Sequence, residues 1–529
     1  MTWDGPYKIE VIRDVVPEKV KPWILLLFFL IFQLSGGVYM AAVTQMSGSL
    51  SLMHEDIMMA GYASLVGLCL TFTVMYRLKF CFTIKTGLLV SAVGLIICNL
   101  ICLHTANVPM LVALSFIAGI FRMWGTFMCN TTLAPWIFPK WTMPKFQCYI
   151  QPAVMGFMLL SGLATVYITY YFQWQYVHWF IIGVLFCLLL FTFVFIRHLP
   201  MKKLPLYGID WMGAILLGVT ALCVIFVLNY GDYYDWYQSV SIWMGTIFGI
   251  VAMGLNIWRA SFIRHPFIAN STWRFRNVRI AFLLLFVAYI LVSPSSFFEH
   301  MYTANILKYD PLNQISLNWI SLLGYICGGA FAFMTLALRD WKFKTMTLIA
   351  FSLVVGYLLI MYLTIDYNLP KEALYLPIFL RSAGMIMIPI TFLSAIFRTI
   401  PFQQFFQALN IVTIITACCG PLLGSAVLTH IFKITMKSNE LFIGATLDNV
   451  NPATSHFSVE SLYGSLQQQA MIVSMKEIYG WLCIAGIFCI LAFTLRESSL
   501  RPHMIIPKLS NLRRAVKHEL KMDKLLKEV

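Results

Sequence analysis

About fourteen apolar runs of roughly 20 residues follow one another along the 529-residue chain. They lie near 23–45, 57–76, 86–104, 109–134, 150–171, 176–196, 211–229, 239–258, 280–298, 315–338, 345–364, 373–397, 407–432 and 477–495. A helix of that length rises about 30 Å, the thickness of the hydrocarbon core of a bilayer. A transmembrane barrel would instead alternate apolar and polar residues over segments of about 10 residues. The chain therefore reads as an all-α polytopic membrane protein. Its 11% of charged residues, against about 25% in soluble domains, points the same way.

The net charge of +15 is distributed by side. With both termini inside, 30 of the 37 Lys and Arg fall in internal segments, and five (Lys308, Lys371, Lys433, Lys437, Lys476) fall in external ones. The remaining two, Arg122 and Arg381, sit inside apolar runs. This is the positive-inside pattern of an even number of spans, so the basic charge encodes orientation and implies no nucleic-acid partner. The N-terminus "MTWDGPYKIEVIRDVVPEKVKPW" has no apolar h-region or cleavage site, and the first run is expected to be an uncleaved anchor.

Two polar stretches, "RHLPMKKLPLYGID" (197–210) and "RASFIRHPFIANSTWRFRNVR" (259–279), bracket two runs, with six before and six after. The expected layout is 14 transmembrane helices as 6+2+6. It comprises a cytoplasmic N-terminal segment (1–22), an N-terminal six-helix bundle (23–196), a linker with two additional transmembrane helices (197–275), a C-terminal six-helix bundle (276–496) and a cytoplasmic tail (497–529). An external loop is expected at 433–475, with a turn at "DNVNPATS" and a short helix in "SVESLYGSLQQQAMIVSMKEIYG". In the tail, Leu512, Val516 and Leu520 recur at i, i+4, i+8 among basic residues. That pattern fits an amphipathic helix on the inner leaflet, with a solvated charged helix as the alternative.

The sequence carries no GxSxG, HExxH or phosphate loop, and His178, His300 and His430 are scattered over different runs. The 13 cysteines, including Cys98/Cys102 and Cys418/Cys419, have no metal-type company and read as small packing residues. Neither an enzyme nor a bound cofactor or metal is expected.

Several stretches resemble the fourteen-span drug:proton antiporters of the major facilitator superfamily (the EmrB/QacA-type group). "LYGIDWMGAILLGVTALCVIFVLNYGDYYDW" is similar to that group's seventh span, with Asp210, Trp211 and Gly213 in its opening motif. "HPFIANSTWRFRNVRIAFLLLF" and "FQWQYVHWFIIGVLFCLLL" are similar to its approach to the second bundle and its sixth span. The resemblance implies the major facilitator fold and a secondary transporter, favouring multidrug-type efflux from a bacterial cytoplasmic (inner) membrane. Some relatives work with a periplasmic adaptor and an outer-membrane channel. It also implies a conformational-gate loop between spans 2 and 3. Arg77, Lys79 and Lys85 stand there in "VMYRLKFCFTIKTG", while Val74 and Leu78 replace the usual Gly and Asp. The fifth span lacks the antiporters' Gly-Pro pair, and the first offers Gln33 and Ser35 where many relatives carry an acid. The fourth span lacks the family's arginine at Ser115, but Arg122 stands two helical turns later, near the same face.

Charged groups inside a membrane are costly and usually functional. In this superfamily spans 1, 4, 9 and 12 of a 6+2+6 chain line the cavity, and Gln33, Arg122, Glu299/His300 and Arg381 fall on them. The expectation is that Arg122 and Arg381 make one central cavity positive. No carboxylate lies at the depth of Arg122, so the missing partner would be the substrate's own charge. That favours an anionic or zwitterionic amphiphile. The rival is an Arg122 that only bonds backbone carbonyls, and for Arg381 one that snorkels. Any proton coupling is expected through Glu299 with His300. A transport-inactive sensor or assembly component is the alternative to a transporter.

Overall fold

The apolar runs fold as helices through most of their length, in a computed structural model that describes residues 9–137, 142–199, 208–263, 265–445 and 458–495. The first half contains α1 (Lys21–Leu34), α2 (Val43–Leu50), α3 (His54–Cys81), α4 (Ile84–His104), α5 (Val108–Ile137), α6 (Met143–Tyr171) and α7 (Gln175–Phe195). A middle pair follows, α8 (Trp211–Tyr230) and α9 (Val240–Phe262). The second half contains α10 (Arg276–Val292), α11 (Pro294–Met301), α12 (Pro311–Ala332), α13 (Phe343–Thr364), α14 (Tyr375–Thr399), α15 (Phe402–Ile414), α16 (Gly420–Gly444) and α17 (Val459–Leu495). Among the described residues, thirteen helical segments are long and apolar enough to cross a membrane, and the chain is an integral multi-pass membrane protein.

Each half builds its own core. In the first, α5 packs on α1, α3 and α4, and α4 packs on α7. In the second, α14 packs on α10, α12 and α13, and α17 on α13 and α16. The halves meet where α6 lies on α12 and α14, and where α15 lies on α3. The middle pair packs chiefly on itself, with α8 touching α3 and α16. The outer face of α9 is bare, with Trp243, Met244, Phe248 and Trp258 at least half exposed.

Lipid is as apolar as a leucine, so helices in a membrane associate through close packing of small residues. A Cβ on Gly67 of α3 would overlap the Phe116 carbonyl of α5, and one on Gly119 of α5 would overlap the Ser64 carbonyl of α3. The second half repeats the device. A Cβ on Gly324 of α12 would lie 2.9 Å from the Phe379 carbonyl oxygen of α14, and one on Gly328 would lie 2.8 Å from that of Ala383. Asp210 caps α8 by accepting from the Gly213 amide at 3.0 Å, and it also accepts from Arg259 Nε and Nη2 of α9 at 3.2 and 3.1 Å. The macrodipole favours a carboxylate at that position.

Three segments differ from expectation. The first run, expected continuous over 23–45, is broken. Helix α1 has 14 residues, about 21 Å, and ends at Ser35. Gly37 then takes φ +83°, the left-handed region that glycine enters without a Cβ penalty. The freed backbone is re-satisfied by side chains, as Ser64 Oγ donates to the Gly36 carbonyl and Ser35 Oγ to that of Phe32, both at 3.0 Å. Tyr39 OH donates to Asn99 Oδ1 at 2.7 Å and fastens the far side of the break to α4.

The second difference is the 433–475 stretch, which is mostly helix. Helix α16 runs on to Gly444, and the helix expected in "SVESLYGSLQQQAMIVSMKEIYG" is the first part of α17, which starts at Val459 and continues unbroken into the last span; the expected turn at 448–455 lies outside the described residues. The third lies in the N-terminal segment. Its Ile9, Val11 and Ile12 are buried, Ile12 bridges to Ile196, and Lys21 is buried against Glu18 and Asp14. The tail helix expected at 497–529 falls outside the described residues.

The charge distribution sets the orientation to be measured. In a variant without native thiols, a membrane-impermeant maleimide added to intact cells is expected to label Ser438→Cys and to leave His198→Cys unlabelled. Labelling of His198→Cys from outside would overturn the assignment of sides.

Candidate functional site

A cavity of about 410 Å³ lies between the two bundles, walled by α1, α3, α5, α6, α14 and α15. It extends from the end of the molecule where α3 stops and α6 and α15 begin (Lys79, Phe80, Met143, Phe405) inward to Gln33 and Thr126. Its walls are largely apolar, with Phe72, Phe127, Met155 and Phe406 among them. The polar lining is amide and hydroxyl: Gln33, Thr126, Asn130, Gln147, Gln151 and Thr413. Among the described residues, Lys79 at the mouth is the one charged residue lining it, and no carboxylate does so. Gln147 and Gln151 occupy one face of α6 at i, i+4 and bond each other at 3.3 Å. Asn130 Oδ1 is buried without a partner. Thr416 and Ala417 line the cavity from a π-helical turn, Ile415–Cys419, that joins α15 to α16. Such turns gather at functional sites.

Gln33 closes the inner end. Its Nε2 donates to Thr126 Oγ1 at 3.0 Å, and its Oε1 accepts from Arg122 Nη2 at 2.8 Å. Beyond it lies a second cavity of about 360 Å³ inside the first bundle, lined by the α1 break, Tyr39, Ser64, Arg122, Ser161 and Thr165. Gln33, Leu65 and Met158 line both cavities and form the boundary between them.

Arg122 is 6% exposed. Among the described residues it forms no ion pair and no bond to a backbone carbonyl, and its buried Nε has no partner. Its Nη1 lies 3.7 Å from where a Cβ on Gly36 would stand, just past the carbonyl end of α1, where the macrodipole favours a cation. Broken helices whose ends meet a site in this way recur in secondary transporters.

Arg381 behaves differently. Its Nη1 pairs with Glu299 Oε2, its Nη2 donates to Ser321 Oγ at 3.2 Å, and the guanidinium lies 5.8 Å from the Tyr357 ring centroid. The Tyr357 and Tyr479 hydroxyls are 3.3 Å apart beside it. Arg381 lines neither of these two cavities, and its guanidinium is not brought beside Arg122 in either. Glu299 neutralises the second arginine within its own bundle. The expected Glu299/His300 unit also separates: consecutive residues of a helix point about 100° apart, and His300 is exposed while Glu299 is partly buried. The gate-loop residues lie on helices, since the link between α3 and α4 is only Phe82–Thr83. Lys79 borders the cavity mouth, Lys85 Nζ donates to the Phe193 carbonyl at 2.8 Å, and Arg77 is half-buried near Gly208.

No family model matches the chain, and no curated protein matches it in sequence. Solved structures do match. The nucleoside transporter NupG aligns with TM-score 0.51 at 12% identity, over 90% of this chain and 99% of that one. The human organic anion transporter MFSD10 aligns with 0.50 at 13%, over 90% and 100%. A bacterial homologue of the human drug peptide transporters PepT1 and PepT2 aligns with 0.53 at 12%, over 91% and 98%. The chain shares the fold of these transporters. Sequence reading passed over Gln147 and Gln151, although two amides at helical spacing in an apolar run, "FQCYIQPAV", are a readable sign of a polar face.

Proposed function

We propose that the chain is a secondary transporter that moves a small amphiphilic compound across the membrane by alternating access between its two bundles. The observation that carries this reading is the cavity of about 410 Å³ between them. Its volume falls within the about 300–1,000 Å³ of small-ligand sites. Its walls hold apolar matter, and a few amides and hydroxyls supply orientation. Its structural neighbours are transporters, which supports the same reading. Gln33 at the inner end is assigned to substrate contact, and Arg77, Lys79 and Lys85 to the gate at the mouth.

The finer form of the reading is proton-coupled export of the multidrug type from a bacterial inner membrane, with a periplasmic adaptor and outer-membrane channel as partners. It rests on the sequence resemblance. Coupling is assigned to Glu299, competing for its carboxylate between a proton and Arg381.

Purified protein in proteoliposomes is expected to move amphiphilic dyes down an imposed gradient. Thr413→Trp, which fills the cavity from α15, is expected to slow that flux at least about tenfold, as loss of one productive binding geometry commonly does. A flat trace under every gradient would instead support the transport-inactive sensor.

A further inference from the structure

The second cavity is the least expected feature of the molecule, and its chemistry is one-sided. It contains one guanidinium and no carboxylate among its lining residues. The guanidinium belongs to Arg122, which is buried, has no ion pair among the described residues and keeps its Nε without a partner. A buried charge left unpaired is strongly destabilising. The amide of Gln33 is neutral and takes only Nη2. The carbonyl end of α1 contributes a partial negative charge, which is short of a full counter-charge. Gly162, on the α6 wall, has open space where a Cβ would stand. The pocket thus has both an unmatched charge and room for a group to match it.

We infer that this pocket takes the anionic head of the transported amphiphile, a single carboxylate or equivalent monoanion, bound at Arg122. The inference rests on the transporter reading above and names its substrate class. A carboxylate matches the guanidinium fork through two parallel charge-assisted bonds, and lysine cannot reproduce that geometry. One guanidinium calls for one negative charge. The apolar part of the same molecule is placed on the apolar walls of the larger cavity, across the shared boundary at Gln33, Leu65 and Met158, which requires the Gln33 side chain to swing aside. Gln33 therefore stands at the junction of head and body.

Three probes with one skeleton separate charge from shape: 4-phenylbutanoate, 4-phenylbutan-1-ol and 4-phenylbutylamine, titrated into the full chain in lipid nanodiscs. The wild type is expected to bind the carboxylate at least about tenfold tighter than the alcohol or the amine, within the range of a charge-assisted bond. Arg122→Gln is expected to bring that preference below about twofold. Gly162→Leu fills the pocket while leaving Arg122 in place, and it is expected to do the same. Equal binding of the three probes, or a carboxylate preference that survives in either variant, overturns the anion site and leaves the transporter reading intact. Carboxylate-selective binding without flux under any gradient has the opposite meaning: the site stands and transport does not.

Discussion

Glu299→Gln is expected to abolish flux driven by a pH gradient while substrate binding persists. Glu299 and Arg381 form an ion pair whose side chains are 16% and 12% exposed, and Glu299 Oε1 is buried without a partner. Protonation removes the carboxylate's charge, dissolves the pair and frees the guanidinium. In the proposed coupling, such a step would tie proton uptake to a rearrangement between α11 and α14. A glutamine cannot make that change. Losing one partner of a buried pair costs about 3–5 kcal/mol, so Arg381→Gln alone is expected to lower the melting temperature sharply. The double variant Glu299→Gln with Arg381→Gln removes both charges. It is expected to regain most of that stability and none of the coupling, a non-additivity that a double-mutant cycle reads directly. Scanning fluorimetry and pH-jump flux in proteoliposomes supply the two measurements. Gradient-driven flux at the wild-type rate in Glu299→Gln would remove this carboxylate from the mechanism.

Gly119→Val is expected to prevent recovery of folded protein, and Gly67→Val likewise. Overpacking a core usually costs about 1–3 kcal/mol because side chains can rotate aside. Here the obstructing atoms are the carbonyl oxygens of Ser64 and Phe116, fixed in the backbone ladders of α3 and α5. A branched side chain has no way past them without separating the helices around which the first bundle is built. Gly254→Val on α9 is the control, since no atom lies within 4 Å of its Cβ position. Size-exclusion profiles at matched expression check the contrast. A monodisperse peak for Gly119→Val at the control's yield would show that the close approach is dispensable.

Much of the architecture was legible in the sequence, because run length and the period of apolar residues report what a bilayer demands. Arg122 stood out as a lone charge in an apolar run, and the structure buries it. Gly324 and Gly328, four residues apart in "GYICG", carry the readable spacing of a close helix contact and lie against α14. The break after Ser35 was less visible, since "LSGGVY" remains apolar on average and hydropathy averages over the residues that end a helix. The pairing of Glu299 with Arg381 was hidden for another reason. Depth along a span follows from counting residues, but the rotation of one helix against another 82 residues away does not. The helices beyond the membrane were misread because apolarity marks where lipid ends. A helix ends only where capping or glycine stops it, and "FKITMKSNELFIG" supplies no early stop.

The helical segment Gln404–Gly444 has 41 residues and α17 has 37, so they extend about 60 and 55 Å against a hydrocarbon core of about 30 Å. Asn439 Nδ2 donates to Ser474 Oγ at 2.9 Å and braces the projecting part of the two helices against each other. Single-particle imaging of small membrane proteins is limited by the lack of any feature outside the micelle to set each particle's angle. This chain carries such a landmark in its own sequence, placed off centre on one bundle. Orientations can therefore be assigned without an added antibody fragment, and the two faces of the membrane can be told apart in the raw class averages.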